Sequence, residues 1–396
     1  MKQMRHLSTF LPMVIVSVVT TVNAQPFFVG HTTINFTDPS RNRPIATEVY
    51  YPADVAGVDV AFTQQPITAP IVTFGHGFVM TWDAYSNIWE ELVANGYVVA
   101  FPKTETGFAP DHLALGKDLA YVVTALQTEA ATSGSRFFGR LDSSACVMGH
   151  SMGGGAAFLA VQYNSSIRAM ITLAAAETST SAIGAATAIT IPSLVFAGAN
   201  DCVTPPSVHQ IPMYDSLASS CKAYISINGA SHCQMAEVNA LCSFGEATCT
   251  PPPAISRATQ HVVLNRYMVP WLNYQLKNDC VAGTSFASTI ATDTEIAYQL
   301  SCTICPSTTG INSSEWTAGV KVFPNPANDA LNLLFPHPFS GYLTLMDLQG
   351  KIIEEIRIEN STSFSADISG LPEGFYGFRL RDDLSMTQYQ SFIKSK

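Results

Sequence analysis

The stretch Ala145-Cys146-Val147-Met148-Gly149-His150-Ser151-Met152-Gly153-Gly154-Gly155-Ala156-Ala157 decides the fold. Its first residues make the apolar end of a strand, and the small residues after Ser151 open a close-packed helix. Between them Gly149-His150-Ser151-Met152-Gly153 fits G-x-S-x-G, the sharp strand-to-helix turn that lifts a serine hydroxyl clear of a sheet edge. Small residues are required there because the backbone doubles back with no space for side chains.

Working outward, strand patterns at residues 47–51, 71–74, 97–101, 145–148, 169–173, 193–197 and 223–227 alternate with helix-like segments, which indicates a mostly parallel sheet flanked by helices. Leu115, Leu119, Val122 and Leu126 recur at helical spacing and read as core. Residues 255–276 read as the last helix of this region.

A serine hydroxyl becomes a nucleophile only when a base takes its proton. Of nine histidines, His232 directly follows the strand at 223–227 and is the candidate base. His150 reads as structural, and His76, His112, His209 and His261 as surface or core residues. Asp201 follows the strand at 193–197 through Gly198-Ala199-Asn200 and would orient the imidazole; Glu177 is the alternative acid. The chain order Ser151, Asp201, His232 is that of the α/β-hydrolase fold. The oxyanion of such chemistry needs two backbone N–H donors. Met152, after the nucleophile, is one candidate, and Phe78 in Gly75-His76-Gly77-Phe78 is the other.

The chain is 396 residues long, with 47% hydrophobic and 13% charged residues, enough for a large core and a second small domain. Lys2 and Arg5, the apolar residues 11–22 and Val22-Asn23-Ala24 read as a signal peptide over residues 1–24, too short in its apolar part to span a bilayer. A net charge of −10 without any basic run argues against nucleic acid as a partner. Nine cysteines in an exported chain imply disulfides with one thiol left over, read as Cys146 in its apolar strand. Cys202 follows Asp201 and Cys233 follows His232, so a Cys202–Cys233 bond is expected to tie the two loops. Cys221 would sit at the opposite end of its strand. Cys242–Cys249 and Cys280–Cys302 are the next expected pairs, with Cys305 as the alternative to Cys302. No metal or other cofactor is expected, and the protein is read as a monomer.

The expected layout is a leader (1–24), an α/β domain (25–306), a small polar linker (307–318) and a small all-β sandwich (319–396). The last segment resembles the C-terminal sorting domain of the Bacteroidetes type IX secretion system. The resemblance rests on Phe323-Pro324-Asn325-Pro326, Asp347-Leu348-Gln349-Gly350-Lys351, Leu371-Pro372-Glu373-Gly374-Phe375-Tyr376 and the terminal lysines. It implies export across the outer membrane, with the secretion machinery as a partner. A carbohydrate-binding sandwich is the alternative for this segment.

Residues 138–142, 147–155, 191–201, 211–217 and 227–232 resemble the cutinase-like polyester hydrolases related to dienelactone hydrolase, which include bacterial PET hydrolases. The resemblance implies a secreted carboxylic-ester hydrolase with Ser151, Asp201 and His232 as its triad, Phe78 and Met152 at the oxyanion, and an ester or polyester as substrate. Where family members carry a tryptophan, this chain reads Glu177-Thr178-Ser179-Thr180, which puts Thr178 on the substrate wall. The loop after His232 is also longer, with Cys242, Cys249 and Pro251-Pro252-Pro253. The competing readings are a short-chain esterase or lipase, a peptidase on the same scaffold, and a non-catalytic surface adhesin.

Overall fold

The strand Leu141–His150 sends Ala145 and Val147 into one apolar core and Cys146 and Met148 into another. A strand apolar on both faces belongs inside a sheet covered on both sides. That is the arrangement in the computed structural model, which describes residues 27–305, 320–347, 351–382 and 387–395. The leader expected at 1–24 and the linker expected at 307–318 lie outside the described residues.

The first unit, which ends at Cys305, contains the strands β1 (Phe28–Asp38), β2 (Arg43–Ala53), β3 (Gly57–Val58), β4 (Ala69–Gly75), β5 (Val98–Pro102), β6 (Leu141–His150), β7 (Ile167–Leu173), β8 (Ser193–Gly198), β9 (Lys222–Ile227) and β10 (Ile296–Ser301). Their order across the sheet is β10-β9-β8-β7-β6-β4-β5-β2-β1-β3. The six strands from β9 to β5 in that order are parallel. β2 pairs antiparallel with β5, β1 with β2, and β10 with β9. The helices are α1 (Ser86–Ala94), α2 (His112–Ala131), α3 (Met152–Ala160), α4 (Ala182–Ala186), α5 (Gln210–Ser216), α6 (Ala240–Glu246), α7 (Arg257–Lys277) and α8 (Cys280–Thr292). One core takes Leu115, Leu119, Val122 and Leu126 of α2 and Phe158 of α3. The other takes Ile88 and Leu92 of α1, Met268 and Trp271 of α7, and Phe286 of α8. This is the expected α/β-hydrolase arrangement, and every strand anticipated from the sequence of this unit forms. The helix read at 255–276 is α7, but it is not the last: α8 and β10 follow it.

The turn between β6 and α3 leaves no room for side chains around it. Ser151 sits at φ 55°, ψ −121°. A Cβ on Gly153 would come within 2.0 Å of the Gly75 carbonyl oxygen, and one on Gly149 within 2.2 Å of the Gly153 carbonyl oxygen. Both glycines are therefore obligatory for this approach.

The disulfides differ from the expected set. Cys202 bonds Cys249, Cys233 bonds Cys242, Cys221 bonds Cys302, and Cys280 bonds Cys305. The expected Cys202–Cys233, Cys242–Cys249 and Cys280–Cys302 pairs do not form. The reason is structural. The segment after His232 returns over the loops, so each loop cysteine finds its partner on that segment and not on the other loop. The unforeseen β10 runs beside β9 with Ser301 opposite Lys222, which brings Cys302 to Cys221. Cys305 then takes Cys280, the alternative left open above. Cys146 is free and buried, as expected.

The second unit is all-β, as expected. It contains β11 (Lys321–Phe323), β12 (Ala330–Met346), β13 (Ile352–Asp367), β14 (Gly374–Asp382) and β15 (Thr387–Lys394) in one antiparallel sheet. The two strands expected at 331–335 and 342–346 are one, β12, whose register against β13 shifts between Leu334 and Phe339. β11 pairs with its first half and β14 with its second, around a core that includes Leu331, Leu343, Ile358 and Phe378. Among the described residues, no helix is long and apolar enough to cross a membrane.

Since each unit has its own buried core, a chain of residues 27–305 should fold alone. Calorimetry should show a cooperative transition, and thiol titration after denaturation without reductant should find one cysteine. Loss of the transition on removing residues 306–396 would show that the second unit is needed for folding.

Candidate active site

Ser151, Asp201 and His232 follow β6, β8 and β9 respectively, so three parallel strands deliver them at the same, carboxyl-terminal edge of the sheet, where open α/β sheets hold ligands. Ser151 is held by its backbone: its N–H donates to the Leu173 carbonyl at 3.0 Å, and its carbonyl accepts from the Gly155 and Ala176 N–H groups at 3.1 and 2.9 Å. His232 Nδ1 lies 2.8 Å from Asp201 Oδ2, and both residues are buried. That bond commits Nδ1 and leaves Nε2 as the nitrogen able to exchange a proton.

The acceptor positions of Asp201 are filled. Oδ1 accepts the Val203 and Thr204 N–H groups at 2.9 and 2.8 Å, and Oδ2 accepts the Thr204 hydroxyl at 2.8 Å beside the imidazole. Thr204 Oγ1 is also 3.0 Å from His232 Nδ1 and accepts from Gln210 Nε2, which in turn donates to the Ala175 carbonyl at 2.6 Å. Thr204 and Gln210 were not singled out from the sequence. An Asp followed three residues later by Thr, the pattern of a turn closed on the carboxylate, was the available signal. Glu177, the alternative acid, accepts the Ile183 N–H at 3.0 Å instead.

Two cavities meet at Ser151. One, of about 470 Å³, is lined by Met152, Ala176, Glu177, Thr178, Ser179, His112 and His209 among others. The other, of about 410 Å³, is lined by His232 and by Phe108, Leu241, Phe244 and further residues. Phe78 and Val203 border both. Thr178, expected on the substrate wall, lines the first of these cavities but is largely buried, with its hydroxyl donating to the Thr180 carbonyl at 2.5 Å.

His112 and His209, read from the sequence as surface or core residues, instead border the first cavity. His209 Nδ1 accepts the Glu177 N–H at 2.9 Å and His112 Nδ1 accepts the Ser179 N–H at 3.0 Å. Only an unprotonated nitrogen can accept, and burial lowers the His209 pKa against the opposing pull of Asp201 and Glu177. His76 and His261 lie elsewhere, near the Thr104 carbonyl and Glu237.

Met152 opens α3, so its N–H belongs to the first turn that a helix leaves without an internal partner. Phe78 follows Gly77, whose N–H donates to the Tyr85 hydroxyl at 2.7 Å. That hydroxyl is 3.0 Å from His150 Nδ1, so His150 is structural, as expected: it braces the Phe78 loop from behind the serine. Among the described residues no group of three or more His, Cys, Asp or Glu is arranged to hold a metal ion.

A family model described as PET hydrolase-like matches residues 18–289. The chain belongs to the PET hydrolase-like family. Curated relatives of this PET hydrolase-like chain include cutinase est1 of Thermobifida alba, 29% identical over 179 residues, which cover 44% of this chain and 57% of that protein. Cutinase 1 of Thermobifida cellulosilytica is 28% identical over 179 residues, 44% of this chain and 65% of the relative. A bis(hydroxyethyl) terephthalate hydrolase of Streptomyces coelicolor is 27% identical over 210 residues, 52% and 57% of the two chains. The chain therefore spans well over half, but less than two thirds, of the length of each. Residues 321–395 match a secretion system C-terminal sorting domain, in agreement with the type IX sorting domain expected there.

Burial, reinforced by the adjacent His232, holds the His150 imidazole well below its ordinary range. An imidazole that takes a proton less readily when folded than when unfolded makes stability fall as pH drops below about 6.5. In NMR spectra the His150 ring should titrate at a lower pH than an exposed histidine. A midpoint at or above the ordinary histidine value would show the ring to be solvated.

Proposed function

We propose that this protein is an exported serine hydrolase of carboxylic esters that acts on polyester chains. The observation that carries this reading is the hydrogen-bonded Asp201–His232 pair with His232 and Ser151 on one cavity, in a chain of the PET hydrolase-like family. The sorting domain supports type IX export and the secretion machinery as a partner.

The positions of these residues support the following chemistry. Ser151 Oγ attacks the ester carbonyl while His232 Nε2 takes its proton, and Asp201 keeps the ring oriented and stabilises the imidazolium. The carbonyl oxygen becomes an oxyanion held by the Phe78 and Met152 N–H groups. Collapse breaks the bond to the alcohol oxygen, which leaves with the proton from His232. Water, deprotonated by the same nitrogen, then attacks the acyl-serine, and collapse breaks the bond to Ser151 Oγ, which takes the proton back from His232 as the acid leaves. No step calls for a cofactor.

An apolar, open cleft is what a polymer segment needs beside the nucleophile. Phe78 is 46% exposed at the junction of the two cavities, which supports a ring-contacting role for its side chain in addition to that of its backbone. A short-chain esterase would need no such surface.

Ser151→Ala should abolish ester hydrolysis, by on the order of a million-fold if the triad acts as a unit, while the circular dichroism and melting temperature stay close to those of the parent. Ordinary turnover in that variant would remove Ser151 from the mechanism. Phe78→Ala keeps the backbone donor and deletes the ring. It should lower acid release from an aromatic polyester film by about tenfold, and hydrolysis of a small soluble ester by less than about twofold. Equal losses on the two substrates would leave a general esterase.

A further inference from the structure

The segment that follows His232 carries exposed apolar residues at the edge of the site. Asn239 caps α6 through the Leu241 and Cys242 N–H groups, and no residue of the helix is buried. Phe244 is 83% exposed and Leu241 53%, and across the same cavity Phe108 is 82% exposed. Single exposed apolar residues are ordinary, but several around one concavity mark a binding surface.

The excursion is not a loose loop. Its helix is bonded to the His232 loop by Cys233–Cys242, and the residues just past the helix to the Asp201 loop by Cys202–Cys249. Glu246 Oε1 accepts the Cys233 N–H at 3.1 Å, and Asn200 Nδ2 donates to the Pro252 carbonyl at 2.7 Å. Two covalent ties and these hydrogen bonds fix the apolar tip relative to the reacting atoms.

The two cavities divide the substrate. The alcohol oxygen must receive its proton from His232, so the alcohol part of the ester lies on the side that His232 lines. That is the cavity bordered by Leu241 and Phe244. The acyl part is left for the cavity bordered by Met152 and Thr178.

We infer that the disulfide-tied α6 excursion is the subsite for the alcohol side of the ester, with Leu241 and Phe244 as specificity-determining residues that hold an apolar or aromatic chain segment there. This rests on the ester-hydrolase reading above. It assigns the occupant: the polymer continuing past the scissile oxygen.

The test varies one side of the ester at a time. Phenethyl benzoate and ethyl benzoate differ in the alcohol, and ethyl benzoate and ethyl acetate in the acyl group. In the full chain, Leu241→Ser with Phe244→Ser should lower the phenethyl-to-ethyl ratio of kcat/KM by about tenfold and leave the benzoate-to-acetate ratio within about twofold. Phe244→Trp should keep the parent's alcohol preference. Both positions are exposed, so folding should be unaffected, and a melting curve checks this. An unchanged alcohol ratio, or equal falls in both ratios, in a variant that melts like the parent overturns the inference while leaving the hydrolase reading intact. A parent that cleaves none of the three esters overturns both.

Discussion

The constraint on which the site depends is a backbone contact. α3 leaves the sheet so steeply that Gly153 lies against the end of β4 at Gly75, and no Cβ fits at either Gly149 or Gly153. The contact forces Ser151 to positive φ, and it brings the loop that continues from Gly75 to Phe78 beside the start of α3. Both candidate oxyanion donors, Phe78 and Met152, are therefore set by one approach of two chain segments. The Tyr85 hydroxyl completes the arrangement by accepting from Gly77 and meeting His150, so the residue before the serine and the loop opposite are joined through one phenol. Backbone strain of this kind persists only where the surroundings over-determine it, and here three glycines and a buried hydrogen-bond chain do so.

A second consequence concerns the rigidity of Asp201. Its two oxygens accept from two backbone groups, one hydroxyl and the imidazole. Thr204, itself held by Gln210, touches both members of the pair. A carboxylate surrounded in this way has one orientation available to it, and so does the ring it holds. Orientation of the imidazole is thus distributed over α5 and the loop after β8 and is not a property of two residues alone.

Much of this was legible in the sequence, for identifiable reasons. Parallel strands buried on both faces are written as uninterrupted apolar runs, and the turn at Ser151 requires glycine where glycine is found. The positions of Asp201 and His232 follow from strand ends. What was not legible depends on tertiary return. β10 alternates weakly, with most of its residues exposed, and without it nothing in the sequence brings Cys302 to Cys221. His112 and His209 carry no local motif, and they matter only because the segment at Glu177–Ser179 passes between them. In the second unit, the two strands read at 331–335 and 342–346 are one because β12 merely shifts register between them and pairing with β13 continues on either side.

The connectivity of the cysteines has a consequence for how the molecule is made. In chain order, Cys202 is followed by Cys221 and Cys233 before its partner Cys249 is reached. Joining thiols as they emerge would lock the aspartate loop to the foot of β9 or to the histidine loop, and neither bond exists in the native set. The native pairing is an interleaved one, in which the Cys202 and Cys221 spans overlap and the Cys233–Cys242 span lies inside both. Such a pattern is reached only if the sheet assembles before oxidation is complete, or if early bonds are reshuffled by exchange. Cys146 leaves that exchange once the sheet has formed, since burial then pushes its thiol pKa up and disfavours the reactive thiolate. Maturation of the cleft is therefore a problem of thiol traffic in the compartment where the chain folds.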